Sequence, residues 1–381
     1  MILPPATLAM LGGGQLGRFF VSAAHELGYE AWVLDPDRES PAGRLADRHL
    51  CAAYDDVAAL DELARHCAAA TIEFENVPAA TLAYLAERMP THPSAQAVAI
   101  CQDRIAEKTF LRDNGLPHGA FAVIQSAADI KAANAGLFPA VLKVARFGYD
   151  GKGQARVADR EQALAAFAHF KQEACVLEQL LKLDYELSVV LVRDANGRVE
   201  AYPPGENCHR NGILDFTIAP ARAAACQRDN AQEIAGQAAE RLGYVGVLGV
   251  EFFVHRGELL VNEMAPRPHN SGHHTIDACD ISQYAQQVRA LCALPLARPR
   301  QHSAAVMVNL LGDLWFEGDA RREPDWATLA SVPGLALHLY GKRAARPGRK
   351  MGHFTVTGER ADEMLARALA ARAAMGIVDP E

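Results

Sequence analysis

Residues 7–35 narrow the choice of fold more than any other stretch. Thr7 to Leu11 is a short apolar run, and Gly12-Gly-Gly-Gln-Leu-Gly17 follows at once. Phe19, Phe20, Ala23, Ala24 and Leu27 then recur at helical spacing and stop at Gly28, and Ala31 to Leu34 is apolar again, closing on Asp35. Strand, tight glycine turn, helix and strand make a βαβ unit, which commits the chain to a parallel sheet with helices packed on it. Gly12, Gly14 and Gly17 match G-x-G-x-x-G, with Asp35 near the offset of the dinucleotide fingerprint. Alone, that match suggests a dinucleotide-binding dehydrogenase. Any tight strand-to-helix turn of a parallel sheet selects glycines, however, and the residues further on argue against a nicotinamide.

Leu60 to Ala70 reads as a helix, Thr71 to Asn76 as a strand with a polar end, and Pro78 to Arg88 as a helix. Ligands of open α/β sheets sit beyond the carboxyl ends of strands. Glu73, Glu75 and Asn76 are therefore candidate contacts, or simply solvated strand-end residues. Ser94 to Gly115 contains a helix with Arg104 and Lys108 at i,i+4, which reads as a solvated basic face. From about residue 107 the pattern changes to α+β.

Ala140 to Ala145 is a buried strand interrupted only by Lys143. Gly148, Gly151 and Gly153 follow, with Lys152 among them, and Ala155 to Ala158 is strand-like again. Glycines let a backbone point several N–H groups at an anion, and two lysines add charge there. The stretch reads either as a flexible cover over nucleotide phosphates or as an ordinary hairpin with solvated lysines. It is not a Walker P-loop, because Lys152 is followed by Gly153 and Gln154 and by no helix. Asp159 caps the helix Arg160 to Lys171. Cys175 to Leu180 and Tyr185 to Val192 are strands carrying Glu178 and Glu186, and Glu206 to Gly212 is a polar loop holding His209.

A second clue lies downstream. Val245 to Val254 and Leu259 to Met264 are strands joined by a turn at Gly257, so Glu251 and Glu263 stand opposite each other on one face. Bare carboxylates opposed across a hairpin repel, whereas a hard divalent cation between them would bind both. A register one residue different would separate them. Ala265 to His274 follows, and its prolines forbid a helix, so His269 and His273 are not a helical zinc pair. Arg267, His269, Asn270 and Ser271 offer donors suited to an anionic small molecule. Near the end, strands at Leu335 to Tyr340 and Phe354 to Val356 bracket Lys342, Arg343, Arg346, Arg349 and Lys350. That run is a solvated loop or a fixed phosphate-binding turn.

At 381 residues, 50% of them apolar, the chain can bury a large core in two or three domains. A net charge of −8 and a pI of 6.0 argue against a nucleic-acid surface. No run reaches transmembrane length, no basic n-region opens the chain, and the eight cysteines lack C-x-x-C spacing. A soluble cytoplasmic protein with reduced thiols is expected.

With these segments in hand, the chain resembles the ATP-grasp superfamily and, within it, the N5-carboxyaminoimidazole ribonucleotide synthase family. The resemblance is carried by Gly12-Gly-Gly-Gln-Leu-Gly-Arg18, Thr71-Ile-Glu-Phe-Glu-Asn-Val77, Phe147-Gly-Tyr-Asp-Gly-Lys-Gly-Gln154, Leu242 to Phe253, Val261-Asn-Glu-Met-Ala-Pro-Arg-Pro-His-Asn-Ser-Gly-His273 and Arg346-Pro-Gly-Arg-Lys-Met-Gly-His353. It implies a Rossmann-like N-terminal domain (1–106), a central ATP-grasp domain (107–297) and a small C-terminal α/β domain (298–381), often as a homodimer. It also implies ATP- and Mg²⁺-dependent carboxylation of 5-aminoimidazole ribonucleotide by bicarbonate, through carboxyphosphate, in purine biosynthesis. A sister enzyme that transfers formate to glycinamide ribonucleotide is the nearest alternative. The resemblance assigns ATP to Arg104, Lys143, Gly148, Tyr149, Asp150, Gly151, Lys152, Gly153, Gln154, Glu178, Gln179, Leu180, Leu181, Glu186, His209, Asn262 and Glu263, and magnesium to Glu251 and Glu263. It assigns the ribonucleotide to Gly14, Gln15, Leu16, Glu73, Asn76, Tyr149, Asp150, Lys152, Arg267, His269, Asn270, Ser271, Lys342 and Arg349. Arg267, Lys143, Asp150 and Lys152 are its candidate catalytic residues.

Overall fold

The computed structural model describes residues 1–146, 148, 153–318 and 320–377. The expectations placed on Tyr149, Asp150, Gly151 and Lys152 fall outside the described residues. Four parallel strands form the N-terminal sheet in the order Arg48–Leu50, Glu30–Leu34, Thr7–Leu11, Ala69–Ile72. The helix Gln15–Glu26 buries Leu16, Phe20, Val21, Ala23 and Ala24 against it, and Gly28 ends the segment at φ +83°. Gly12 has φ +109°, and a Cβ there would stand 2.2 Å from Glu73 Cγ, so only glycine lets Glu73 lie beneath the turn.

The expected strand Thr71 to Asn76 ends at Ile72. Its polar residues leave the sheet because their side chains find partners elsewhere, as the site shows below. Residues 94–115 form two helices, Ala95–Cys101 and Arg104–Asp113, divided at Asp103, whose carboxylate accepts the N–H groups of Ile105 and Ala106.

Eight strands of a nine-stranded sheet run in the order Glu258–Ala265, Gly246–His255, Tyr185–Arg193, Gly205–Arg210, Ile213–Ala219, Ala304–Leu311, Lys350–Gly358 and Leu335–Leu339, and Val199–Ala201 pairs beside Tyr185–Arg193. The segment read as a polar loop at 206–212 is therefore mostly a strand. Glu206 and Asn207 are paired on both edges and Cys208 to Arg210 on one, so backbone pairing makes the segment a strand despite its polar side chains. The C-terminal region continues the central sheet directly, since Phe216 to Ala219 pair with Val308 to Ala305. A separate antiparallel sheet runs Phe121–Ile124, Cys175–Gln179, Ala140–Val144, Gln154–Val157. Behind the large sheet, the helix Ala225–Arg241 buries Ala231, Ile234, Ala235, Ala238 and Ala239 against Leu187, Leu191 and Val250. Among the described residues no helix is long and apolar enough to cross a membrane.

Candidate active site

The two antiparallel sheets and the Arg104–Asp113 helix enclose a cleft of about 770 Å³. The small sheet contributes Lys143, Gln154, Glu178 and Gln179, and the large sheet contributes Glu186, His209, Glu251, Asn262 and Glu263. Arg104, Gly148, Leu180, Leu181, Asn76, Arg267, His269 and Asn270 complete the part foreseen from sequence. The hairpin register places Glu251 directly opposite Glu263. It then slips so that Phe252 faces Val261, which leaves Asn262 as the extra residue of a bulge. Bulges re-aim neighbouring side chains, and this one lies beside the two carboxylates.

The electrostatics follow from burial. Desolvation, together with the charge of Glu263, pushes Glu251 up to about 7. Burial would raise Glu263 too, but Arg104, 3.1 Å away, and Lys143 hold it below the ordinary carboxylate value. Glu251 also meets His269 Nε2 at 3.2 Å. Desolvation and the neighbouring Arg267 lower His269 to about 3, so it is a neutral ring. His209 lies 3.0 Å from Glu186; burial would lower its pKa, but that partner and Glu251 raise it.

The wall of the cleft holds a charged cluster around Lys108, the one member that sequence reasoning misread. Lys108 is 1% exposed and not solvated. Its ammonium sits 3.2 Å from Glu178 and donates to the Asn262 carbonyl at 2.8 Å, satisfying the bulge. Lys143 meets the other Glu178 oxygen at 3.0 Å. Burial opposes ionisation of Glu178, but the two lysines outweigh it and hold its pKa near 2. Glu107 accepts the Met264 N–H at 2.5 Å, and burial raises its pKa to about 8. The i,i+4 spacing of Arg104 and Lys108 was visible in the sequence, but nothing local revealed that an acidic wall would cover it.

Glu75 pairs with Arg267, and burial against that pairing leaves Glu75 near 2. Arg267 therefore remains a cation deep in the cleft. Eight other candidates among the described residues lie off the cleft lining: Gly14, Gln15, Leu16, Glu73, Gly153, Ser271, Lys342 and Arg349. Glu73 accepts the N–H groups of Gly14 at 2.5 Å and Gly17 at 2.8 Å, at the start of the helix that carries Gln15 and Leu16. Lys342 donates to the Lys350 carbonyl at 2.8 Å and lies near enough to Glu73 to act on its charge. Arg349 donates to the Ala344 carbonyl at 2.8 Å. Ser271 is 1% exposed, its hydroxyl between Ser188 Oγ at 2.7 Å and His269 Nδ1 at 2.8 Å. Gly153 closes the glycine hairpin from behind, its carbonyl accepting the Val144 N–H. Asp35 is likewise spent within the fold, accepting from Gly13, Asp37 and Tyr54.

Asp277, His338 and His353 bring ligand atoms within 4.8 Å of one another. The rings of His338 and His353 are stacked, however, with centroids 4.7 Å apart and 22° between planes. In-plane lone pairs of stacked rings run side by side and do not converge on one ion, so the group is a packing cluster.

Comparison with known proteins identifies the domains and the family. Residues 6–102 match the ribonucleotide synthetase preATP-grasp domain, 109–284 the ATP-grasp domain, and 305–367 the phosphoribosylaminoimidazole carboxylase C-terminal domain. The N5-carboxyaminoimidazole ribonucleotide synthase of Brucella melitensis biotype 1 is 42% identical over 92% of this chain and 96% of its own. The chain belongs to the N5-carboxyaminoimidazole ribonucleotide synthase family. Solved structures of the family superpose closely. An ADP complex of one synthetase has TM-score 0.90 at 38% identity, covering 98% of this chain and 97% of its own. The Aspergillus clavatus enzyme with ADP and 5-aminoimidazole ribonucleotide has TM-score 0.87 at 30% identity, covering 98% and 99%. The chain is thus an ATP-grasp ligase with a preATP-grasp, an ATP-grasp and a C-terminal domain.

Proposed function

We propose that this cleft carboxylates 5-aminoimidazole ribonucleotide at the expense of ATP, with bicarbonate as carboxyl donor. ATP-dependent carboxylation of that ribonucleotide in purine biosynthesis is the activity of the family, and it displaces the formate-transfer alternative. One observation carries the reading: Glu251 and Glu263 face each other across a hairpin and share a cleft with Lys143, Glu178 and Arg267.

ATP lies between the two sheets, with Lys143 and the backbone about Gly148 and Gly153 on the phosphates. Glu178 to Leu181, Glu186 and His209 contact the rest of the nucleotide. Arg104 and Asn262 border the terminal phosphate. The donor set fits Mg²⁺, since two carboxylates directly opposed across the hairpin and lining one cleft offer only hard oxygens. Glu251 and Glu263 would hold the ion, which would supply charge neutralisation during phosphoryl transfer.

A bicarbonate oxygen attacks the γ-phosphorus, ADP leaves, and the carboxyphosphate passes its carboxyl group to the ribonucleotide amine as phosphate departs. Positioning and charge dominate such chemistry. Arg267, kept cationic by Glu75, stabilises the anionic intermediate. Tyr149, Asp150, Gly151 and Lys152, which lie outside the described residues, are assigned to ATP, with Tyr149, Asp150 and Lys152 also assigned to the ribonucleotide and Asp150 and Lys152 to catalysis. The Gly14-Gln15-Leu16 turn, Asn76, His269 and Asn270 receive the ribonucleotide, with Glu73 and Ser271 supporting them from behind. Lys342 and Arg349 hold its 5′-phosphate. The domains meet near residues 106 and 297, and the enzyme works as a cytoplasmic homodimer.

The test is ADP release from the purified protein. Bicarbonate plus 5-aminoimidazole ribonucleotide should drive turnover, and formate plus glycinamide ribonucleotide should not. Release supported only by the second pair would overturn the proposal.

A further inference from the structure

We infer that Asn309, on the strand that joins the C-terminal domain to the central sheet, is a positioning residue for Asn270 and thereby for the ribonucleotide. The inference rests on the reading that Asn270 faces that substrate. Asn309 is 2% exposed, within the strand Ala304–Leu311, whose other residues are apolar. Its Nδ2 donates to the Leu214 carbonyl at 2.8 Å and to Asn270 Oδ1 at 2.7 Å. Asn270 Nδ2 donates back to Asn309 Oδ1 at 3.0 Å.

The direction of this network is determined. A backbone carbonyl can only accept, so Leu214 decides which end of the Asn309 amide carries the hydrogens. The reciprocal pair then decides the same for Asn270. Of the two N–H groups and two lone pairs of the Asn270 amide, one of each is used, leaving one donor and one acceptor of known identity. Leu214 and Asn270 both line the cleft. The joint between domains therefore sets the hydrogen-bond polarity of a cleft residue.

A purely structural role is a poor account of Asn309. Burying an amide in an apolar strand is unfavourable unless its hydrogen bonds are made, and a leucine of similar size would fill the position without that requirement. The same strand pairing brings Val308 opposite Phe216 and so holds Asn309 beside Leu214 whatever its side chain. What the amide adds is orientation.

Asn309→Leu separates the two roles. Steady-state ADP release should show the KM for 5-aminoimidazole ribonucleotide raised about tenfold, with the KM for ATP within about twofold. Asn270→Ala combined with Asn309→Leu should be no worse than Asn270→Ala alone, because the residues act as one unit. Equal rises in both KM values would overturn the inference, since a distorted fold does not choose between substrates. Should Asn270→Ala raise the ribonucleotide KM while Asn309→Leu leaves it unchanged, positioning is refuted and the substrate reading stands. If Asn270→Ala itself has no effect, the substrate reading falls and takes the inference with it. If Asn309→Leu does not fold, Asn309→Asp provides the same split, because it sets an oxygen against the Leu214 carbonyl and removes the donor to Asn270.

Discussion

Glu73 is a buried acid held by backbone donors, whereas the partly exposed Glu251–Glu263 pair is held by side chains. Each Glu73 oxygen accepts a backbone N–H, from Gly14 or Gly17, at a helix N-terminus where the dipole also favours negative charge. Its own chain occupies the place that a phosphate takes at other turns of this kind. Glu251 and Glu263 have side-chain partners instead: His269, Arg104 and, further off, Lys143. Backbone donors cannot leave without unfolding the turn, whereas side-chain cations can swing aside for a ligand. An acid saturated by the backbone therefore belongs to the fold, and an acid balanced by side chains is open to chemistry.

The strongest challenge to this contrast is Glu263→Gln, which should lower ATP turnover by about a thousandfold or more while circular dichroism stays unchanged. Unaltered turnover in a folded variant would remove the metal assignment. Next is Lys108→Met, which leaves Glu178 with one lysine and the Asn262 carbonyl without its donor. It should cost about 3 kcal/mol in urea unfolding.

The same cluster has a pH signature. Glu178 titrates near 2 when folded and at 4.5 ordinarily, so its contribution is present above 4.5 and lost as pH falls from 4.5 towards 2. Unfolding measured across that range should show a decline worth about 3 kcal/mol, which Glu178→Gln flattens. A smaller effect is expected from Lys342→Ala or Arg349→Ala, each raising the ribonucleotide KM about thirtyfold with little change for ATP. Equal changes in both would separate that loop from the substrate phosphate. Glu73→Gln should be mildest, losing about 1–2 kcal/mol of stability by turning an amide N–H₂ towards one glycine N–H. No loss would show that the turn does not need its carboxylate.

Much of the site was legible because its key relations are local. The opposition of Glu251 and Glu263 needs only a turn at Gly257 and a count of residues along two short strands, and the register agrees. Asp159 caps its helix through Gln162, three residues on. The relations that escaped reading are distant in the chain. Lys108 looked solvated because its partners, Glu178 and Asn262, lie 70 and 154 residues away. Glu73 looked like a strand end because Gly14 and Gly17 lie more than 50 residues before it. The bulge at Asn262 left no local trace beyond a polar residue in an apolar strand.

Sequence alone was enough for the βαβ start, the glycine hairpin between strands, the carboxylate pair and the order of the three domains. Backbone hydrogen bonding and apolar periodicity act over a few residues, and that is the scale on which a sequence can be read. Tertiary structure alone decided which charges are buried together, which turn is filled by its own chain, and that the Ile213–Ala219 and Ala304–Leu311 strands join two domains in one sheet. Those outcomes depend on desolvation, and no residue's desolvation is known until the segments that cover it have been packed.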